Sequence, residues 1–233
     1  MHPYIIINHT QHIIETALII DNASLEYSTD DKRHASRTLV PHLDALLTKH
    51  TLNLTDLSFI GINQGPGLFS TLRSIISTVN GIHCATGIPL IGIDGLIATA
   101  QESYNTHYPL SVTLLNAFNN EVYYAISDNN NIIKTGYNAI TTLLQELQDR
   151  YSDNVIAFNG NGTALYRALI LEYMKNNAFI PDHITDNCSL STIQALAAQL
   201  YKQNSTTHYL FPLYLKKHPV EMREHTLGTI LTQ

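Results

Sequence analysis

Gln64-Gly65-Pro66-Gly67-Leu68-Phe69-Ser70-Thr71-Leu72-Arg73 joins an apolar run to a helical one, and the reading of that junction decides the fold. Leu57-Ser58-Phe59-Ile60-Gly61-Ile62 before it has the length and apolar character of a buried strand. Gly65, Pro66 and Gly67 supply a turn that other groups can approach closely, and Ser70 or Thr71 is expected to accept from the first free amides of the helix. The helical pattern runs on to His83-Cys84-Ala85-Thr86-Gly87. The unit is therefore strand, glycine loop, helix. Such a loop can hold phosphate on free amides at the positive end of the helix dipole. The sequence has neither the Gly-x-x-x-x-Gly-Lys-Ser/Thr nor the Gly-x-Gly-x-x-Gly spacing, and a tight connection accounts for the same residues.

The helix has two distinct faces. At one hundred degrees per residue, Leu72, Ile75, Ile76, Val79 and Ile82 share a side suited to a sheet. Thr71, Ser74, Thr78, Gly81 and Ala85, spaced three, four, three and four, make a second side of small residues along which another helix can come close. That second helix can belong to the same chain or to a partner.

Composition bounds the rest. With 233 residues and 44% hydrophobic content the chain can build one large domain or two small ones. No run approaches the ~20 apolar residues of a membrane span, and Met1-His2-Pro3-Tyr4 lacks a signal peptide's basic start, so a cytoplasmic location is expected. A net charge of -6 disfavours unaided binding to a polyanion through a broad electrostatic footprint. Cys84 and Cys188 lie far apart and are expected to be buried free thiols. His9 and His12 are three apart, but in a turn with no third ligand nearby, so no metal site is expected.

Tyr4 to Ile7 and Ile13 to Ile20 read as an opening hairpin, and His34 to His50 as an amphipathic helix with Pro41 near its first turns. Leu90 to Ile93 is a further strand, with Asp94 as N-cap of the next helix. Ser103 to Pro109 is the clearest break. It suggests lobes of 1–108 and 109–233. In the second half Ser111 to Leu115, Glu121 to Ser127 and Val155 to Phe158 read as strands, and Ala139 to Arg150 and Ser189 to Tyr201 as helices. Asn159-Gly160-Asn161-Gly162 is a second glycine loop, with a helix from Thr163, and Leu210 to Lys217 reads as a last strand.

Gly65-Pro66-Gly67-Leu68-Phe69-Ser70-Thr71-Leu72-Arg73 resembles the Gly-Pro-Gly-Ser-Phe-Thr-Gly-Leu-Arg signature of the TsaB family, the smaller paralogues of TsaD in bacterial tRNA threonylcarbamoyladenosine synthesis. Leu54 to Leu57, Gly87 to Ile93, His34 to Pro41, Glu121-Val122-Tyr123, Gly160-Asn161-Gly162 and Pro212 to Lys216 follow the family in the same order. The resemblance implies an α/β fold of two ribonuclease H-like lobes, as in actin-like ATPases. It implies a non-catalytic subunit that pairs with a TsaD-like catalytic paralogue through its N-terminal helices, reaches a TsaE-like ATPase through the complex, and forms a homodimer when alone. The partner interface it points to is Thr71, Ser74, Thr78, Gly81 and Ala85.

Departures from the family sharpen that expectation. Ile7-Asn8-His9 stands where relatives of this fold carry Ile-Asp-Thr facing nucleotide phosphates, so no cofactor is expected beyond weak ATP or ADP binding near Asn8, Gly160 and Gly162. Gly95 and Thr99 occupy the places of the two metal-binding histidines of TsaD. Asn116, Phe118 and Asn120 replace the aspartate, arginine and glycine of the family's Asp-Ala-Arg-x-Gly-Glu-Val-Tyr turn. The competing reading is an enzyme in its own right, a small-molecule kinase or a metallopeptidase. The sequence offers neither His-Glu-x-x-His nor a nucleophile turn for the second, and Asn8 removes the acidic first loop of the first.

Overall fold

The computed structural model describes residues 3–10, 13–21, 23–31 and 35–215. His12, Arg33, His34 and the chain from Lys216 onward, on which some of the expectations above fall, lie outside the described residues.

Strand β1 (Tyr4–His9) is buried along its length because alternate side chains feed two cores. Ile5 and Ile7 face one hydrophobic cluster, Tyr4 and Ile6 another. β1 pairs antiparallel with β2 (Ile13–Ile20), and β2 with β3 (Ala23–Asp31). The expected hairpin is therefore a three-stranded meander. β3 was not anticipated, because Ala-Ser-Leu-Glu-Tyr-Ser-Thr-Asp-Asp lacks the apolar alternation of a half-buried strand. On the other side of β1 lie β4 (Ile60–Asn63) and β5 (Leu90–Ile93), both parallel, giving the order β3-β2-β1-β4-β5.

The second sheet repeats that arrangement. β6 (Leu110–Asn116), β7 (Glu121–Asp128) and β8 (Asn131–Ala139) form an antiparallel meander, and β9 (Ile156–Asn159) and β10 (Ala178–Phe179) add in parallel beside β6. Counted within each half, both sheets run third, second, first, fourth, fifth. The two ribonuclease H-like lobes expected of an actin-like fold are present.

Helices α1 (Ala35–Lys49) and α2 (Phe69–Thr86) cover one face of the first sheet, where Leu39, Leu43 and Leu47 meet Leu72, Ile75, Ile76 and Val79. Pro41 lies inside α1, past its first turn. Ile82 packs at the edge of this core, half-buried. α2 begins at Phe69 with Leu68 as its N-cap, and no side chain caps it. The expected capping by Ser70 or Thr71 fails because the helix starts ahead of both, leaving them inside its first turn. Asp94 does cap α3 (Gly95–Glu102), accepting from the amides of Leu96 and Ile97 at 2.9 and 3.0 Å.

In the second half, α4 (Ile140–Tyr151), α5 (Asn161–Leu165) and α6 (Arg167–Met174) pack against the second sheet or its edge. α7 (Leu190–Lys202) does not. It returns to the first lobe, where Cys188, Ile193 and Ala197 join Tyr4, Ile6 and Phe59. A Cβ at Gly61 would lie 2.8 Å from that of Ala197, so the glycine lets α7 settle onto β4. The break at 103–109 does separate the two sheets, yet the helix Leu190–Lys202 from beyond it belongs to the core of the first. Among the described residues, Leu210 to Leu215 is not a strand. Asn80 exchanges two side-chain bonds with the Leu210 backbone, Gln64 Nε2 donates to the Phe211 carbonyl, and the Gln64 carbonyl accepts from the Leu213 amide, so α2 and the glycine loop hold this segment in place of a ladder.

Candidate functional site

β1 and β6 hold equivalent places in their sheets, and their C-terminal ends open onto a cleft of about 370 Å³ between the lobes. His9 and Asn116 end the two strands and both line it. Asn161, at the first turn of α5, is fixed across it: its Oδ1 accepts from the Asn116 amide at 2.7 Å, and its Nδ2 donates to Asn187 Oδ1 at 3.4 Å. Phe69 and Tyr214, both partly exposed, stack at 5.2 Å on one side of the mouth, and Arg73 sits 4.7 Å over the Phe69 ring. Phe118 stands 49% exposed on the wall contributed by the β6–β7 turn. That turn runs through Phe118, Asn119 and Asn120 with φ of 61°, 54° and 60°. Asn120 thus takes the left-handed backbone, which asparagine tolerates best after glycine.

His9 is 4% exposed, and burial lowers its pKa to about 4, against the opposing pull of a hydrogen bond to the Asn63 backbone. Its Nε2 is buried without a partner among the described residues. None of the described residues lining the cleft is Asp, Glu, Lys or Arg.

Asn8, at the position of the missing aspartate, is fully buried and spent on its neighbours. Its Nδ2 donates to Glu15 Oε2 at 2.8 Å and to the Cys188 carbonyl at 3.1 Å, and its Oδ1 accepts from Asn63 Nδ2 at 2.9 Å. Asn63 Oδ1 then accepts from the Gly65 amide at 2.9 Å, so this amide network also fixes the glycine loop. Gly160 and Gly162 are pressed on the backbone of Leu114: a Cβ at either would lie 2.2 or 3.0 Å from its carbonyl oxygen. None of Asn8, Gly160 and Gly162 lines the cleft; the residue between the two glycines does. His9, Asn161 and Asn187 were missed as cleft residues because they come from three distant parts of the chain. The available signal was the position of His9 and Asn116 just at the ends of matching strands.

The other features named from sequence fall elsewhere. Position 95 is closed, since a Cβ there would lie 2.4 Å from Asn63 Oδ1. Thr99 is fully buried, its Oγ1 donating to the Gly95 carbonyl at 2.6 Å and accepting from the Cys188 amide at 3.0 Å. Neither place has room for an imidazole ligand. Cys188 is buried and its thiol is pushed up to about 12, chiefly by desolvation. Cys84 is exposed, against expectation, because its side of α2 turns away from the sheet.

That outer side of α2 carries the small residues. Thr71, Ser74 and Thr78 are half-buried, and Gly81 and Ala85 are exposed, while Leu72, Ile75, Ile76 and Val79 opposite them are at most 2% exposed. Among the described residues, nothing lies within 4 Å of where a Gly81 Cβ would be. Among the described residues, no helix is long and apolar enough to cross a membrane.

Comparison with known proteins agrees with this geometry. The family model described as TsaD: tRNA N6-adenosine threonylcarbamoyltransferase matches residues 26–223. The tRNA threonylcarbamoyladenosine biosynthesis protein TsaB of Buchnera aphidicola subsp. Baizongia pistaciae is 22% identical over 88% of this chain and 94% of its own length. A Pseudomonas aeruginosa protein described as similar to peptidase YEAZ superimposes with a TM-score of 0.70 at 19% identity, covering 93% of this chain and all of that one. A putative N-acetylmannosamine kinase from Listeria monocytogenes shares the fold at a TM-score of 0.52 and 10% identity, over 87% of this chain and all of its own. The chain therefore belongs to the TsaD family of tRNA threonylcarbamoyladenosine proteins, and falls with its TsaB members.

Proposed function

We propose that this chain is the non-catalytic dimerisation subunit of a tRNA N6-adenosine threonylcarbamoyltransferase complex, pairing with and activating a TsaD-like catalytic subunit. The observation that carries the reading is Gly81. A glycine in the interior of a helix costs about 0.5–1 kcal/mol relative to alanine, and nothing among the described residues lies near enough to require it. The requirement comes from outside. A second helix crossing at Gly81, flanked by Thr78 and Ala85, can bring its backbone close in a way larger side chains would prevent.

Its role in chemistry is support. Asn8 is consumed by Glu15, Cys188 and Asn63, and positions 95 and 99 have no room for metal-binding imidazoles. The transferase chemistry therefore belongs to the large paralogue, and tRNA and any TsaE-like ATPase are reached through it. In isolation the same α2 face pairs two copies of this chain. No cofactor is assigned.

The test is reconstitution with the TsaD-like protein of the same host. Co-elution in gel filtration, and threonylcarbamoyl transfer to tRNA only when both chains are present, is the expected result, with no ATP turnover by this chain alone. Full transfer by the large paralogue without this chain, or steady ATP hydrolysis by this chain alone, would overturn the reading.

A further inference from the structure

His83, in the last turn of α2, and His208, in the segment beside β5, lie with ring centroids 5.2 Å apart and ring planes at 46°. A hydrogen bond fixes the tautomer of the first. His83 Nδ1 is 2.7 Å from the Ile88 carbonyl oxygen, which can only accept. Nδ1 therefore carries the proton, and Nε2 of the neutral ring keeps its lone pair. Histidines that bind metals characteristically donate their other N–H to a carbonyl in this way, which orients the ring and raises the basicity of the ligating nitrogen. His83 is half-buried and His208 exposed, so both rings are within reach of solvent.

The backbone holds the two rings at this spacing. Thr207, just before His208, exchanges both backbone bonds with Leu90 of β5, at 2.9 and 3.0 Å. Two residues after His208, the Leu210 amide and carbonyl are both held by the Asn80 side chain at 2.9 Å. Asn80 lies three residues before His83, on the same side of α2. The segment that carries one ring is thus fastened to the helix face that carries the other.

Imidazole pairs suit zinc, nickel or copper dications, whereas magnesium and calcium take oxygen ligands. At zinc–nitrogen bonds of about 2.0–2.1 Å, two imidazoles on a tetrahedral ion place their ring centroids roughly 5 Å apart. Among the described residues, no group of three or more His, Cys, Asp and Glu is assembled for a metal, so the protein supplies two ligands and water the others.

We infer that His83 Nε2 and the His208 ring form a two-imidazole site for a zinc-class transition-metal dication, which clips the 207–210 segment to α2. The ion binds the folded arrangement and stabilises it by mass action. Gly81 points to nearly the opposite side of α2 from His83, so the clip is separate from the small-residue face.

The experiment titrates the full chain with zinc chloride at pH 7.5, with magnesium chloride as the oxygen-seeking comparison. In imidazole ¹⁵N spectra of the wild type, His83 Nε2 and one His208 nitrogen should move upfield together over the same zinc concentrations, and neither should respond to magnesium. Hydrogen exchange at the Leu90 and Thr207 amides should slow about tenfold when zinc stands at ten times its dissociation constant. His208→Ala, at an exposed position, should leave the zinc-free melting temperature unchanged and weaken zinc binding at His83 by at least about tenfold. The site-resolved spectra keep this binding distinct from zinc taken by the exposed Cys84 thiol. An unmoved His83 Nε2 at millimolar zinc, movement of the two rings at different zinc concentrations, an equal response to magnesium, unchanged exchange at Leu90 and Thr207, or wild-type affinity in His208→Ala would each overturn the inference.

Discussion

Asn8 Nδ2 and Glu15 Oε2 lie 2.8 Å apart across the first two strands, a hydrogen bond that needs a donor at position 8. A carboxylate at position 8 would instead face a neighbouring carboxylate. Asn8→Asp would set an acceptor against both Glu15 and the Cys188 carbonyl, and should cost about 1–3 kcal/mol at neutral pH. The deficit should shrink as pH falls, because two carboxylates this close raise one another's affinity for a proton. Denaturant unfolding of the variant at pH 7.5 and pH 5 checks this. A variant as stable as wild type at pH 7.5 would show that the network tolerates the family's aspartate.

His9 gives the chain a defined acid sensitivity. Its folded pKa of about 4 lies below the ordinary 6.5, so on acidification the unfolded chain takes up the proton first. Between those values the unfolded state holds more protons, and stability is lost as pH falls, by up to roughly 3 kcal/mol once the folded pKa is reached. The difference in unfolding free energy between wild type and His9→Phe should change by that order between pH 7.5 and pH 4. A pH-independent difference would mean that His9 titrates normally in the folded protein.

The two cysteines should separate cleanly in labelling. Cys84 is exposed on α2, whereas Cys188 is buried with its thiol raised to about 12. Native protein treated with a thiol-exchange reagent at pH 8 should release one equivalent promptly and the second only in denaturant. Prompt release of two equivalents would contradict the packing of α7 on the first sheet.

How far the sequence carries depends on what each element packs against. The two faces of α2 were legible because Leu72, Ile75, Ile76 and Val79 recur at helical spacing and small residues fill the opposite side. β8, Asn-Ile-Ile-Lys-Thr-Gly-Tyr-Asn-Ala, was not, since an edge strand with partial burial carries little apolar signal. The amphipathic pattern of α7 announces a buried face without naming its partner. Only the fold shows that this partner is the first sheet, through Ile193 and Ala197. Cys84 was misplaced for a similar reason, as composition says nothing about which side of a helix a small residue takes. The glycines at 160 and 162 read from sequence as the border of a weak nucleotide pocket. Their closeness to Leu114 makes them packing residues, and the cleft takes Asn161 from between them.

The central claim is that the outer face of α2 is the partner surface, and Gly81→Arg tests it most directly. Nothing among the described residues meets a Cβ at Gly81, so at concentrations dilute enough for both to be monomeric the variant should melt at or slightly above the wild-type temperature, replacing a helical glycine. Ile76→Arg, which buries an unpaired charge in the core, should instead lose several kcal/mol and unfold. Gel filtration with the TsaD-like paralogue should show wild type co-eluting and Gly81→Arg eluting alone, and the variant should also lose any self-association. Co-elution of Gly81→Arg at the wild-type ratio would place the interface elsewhere and contradict the account.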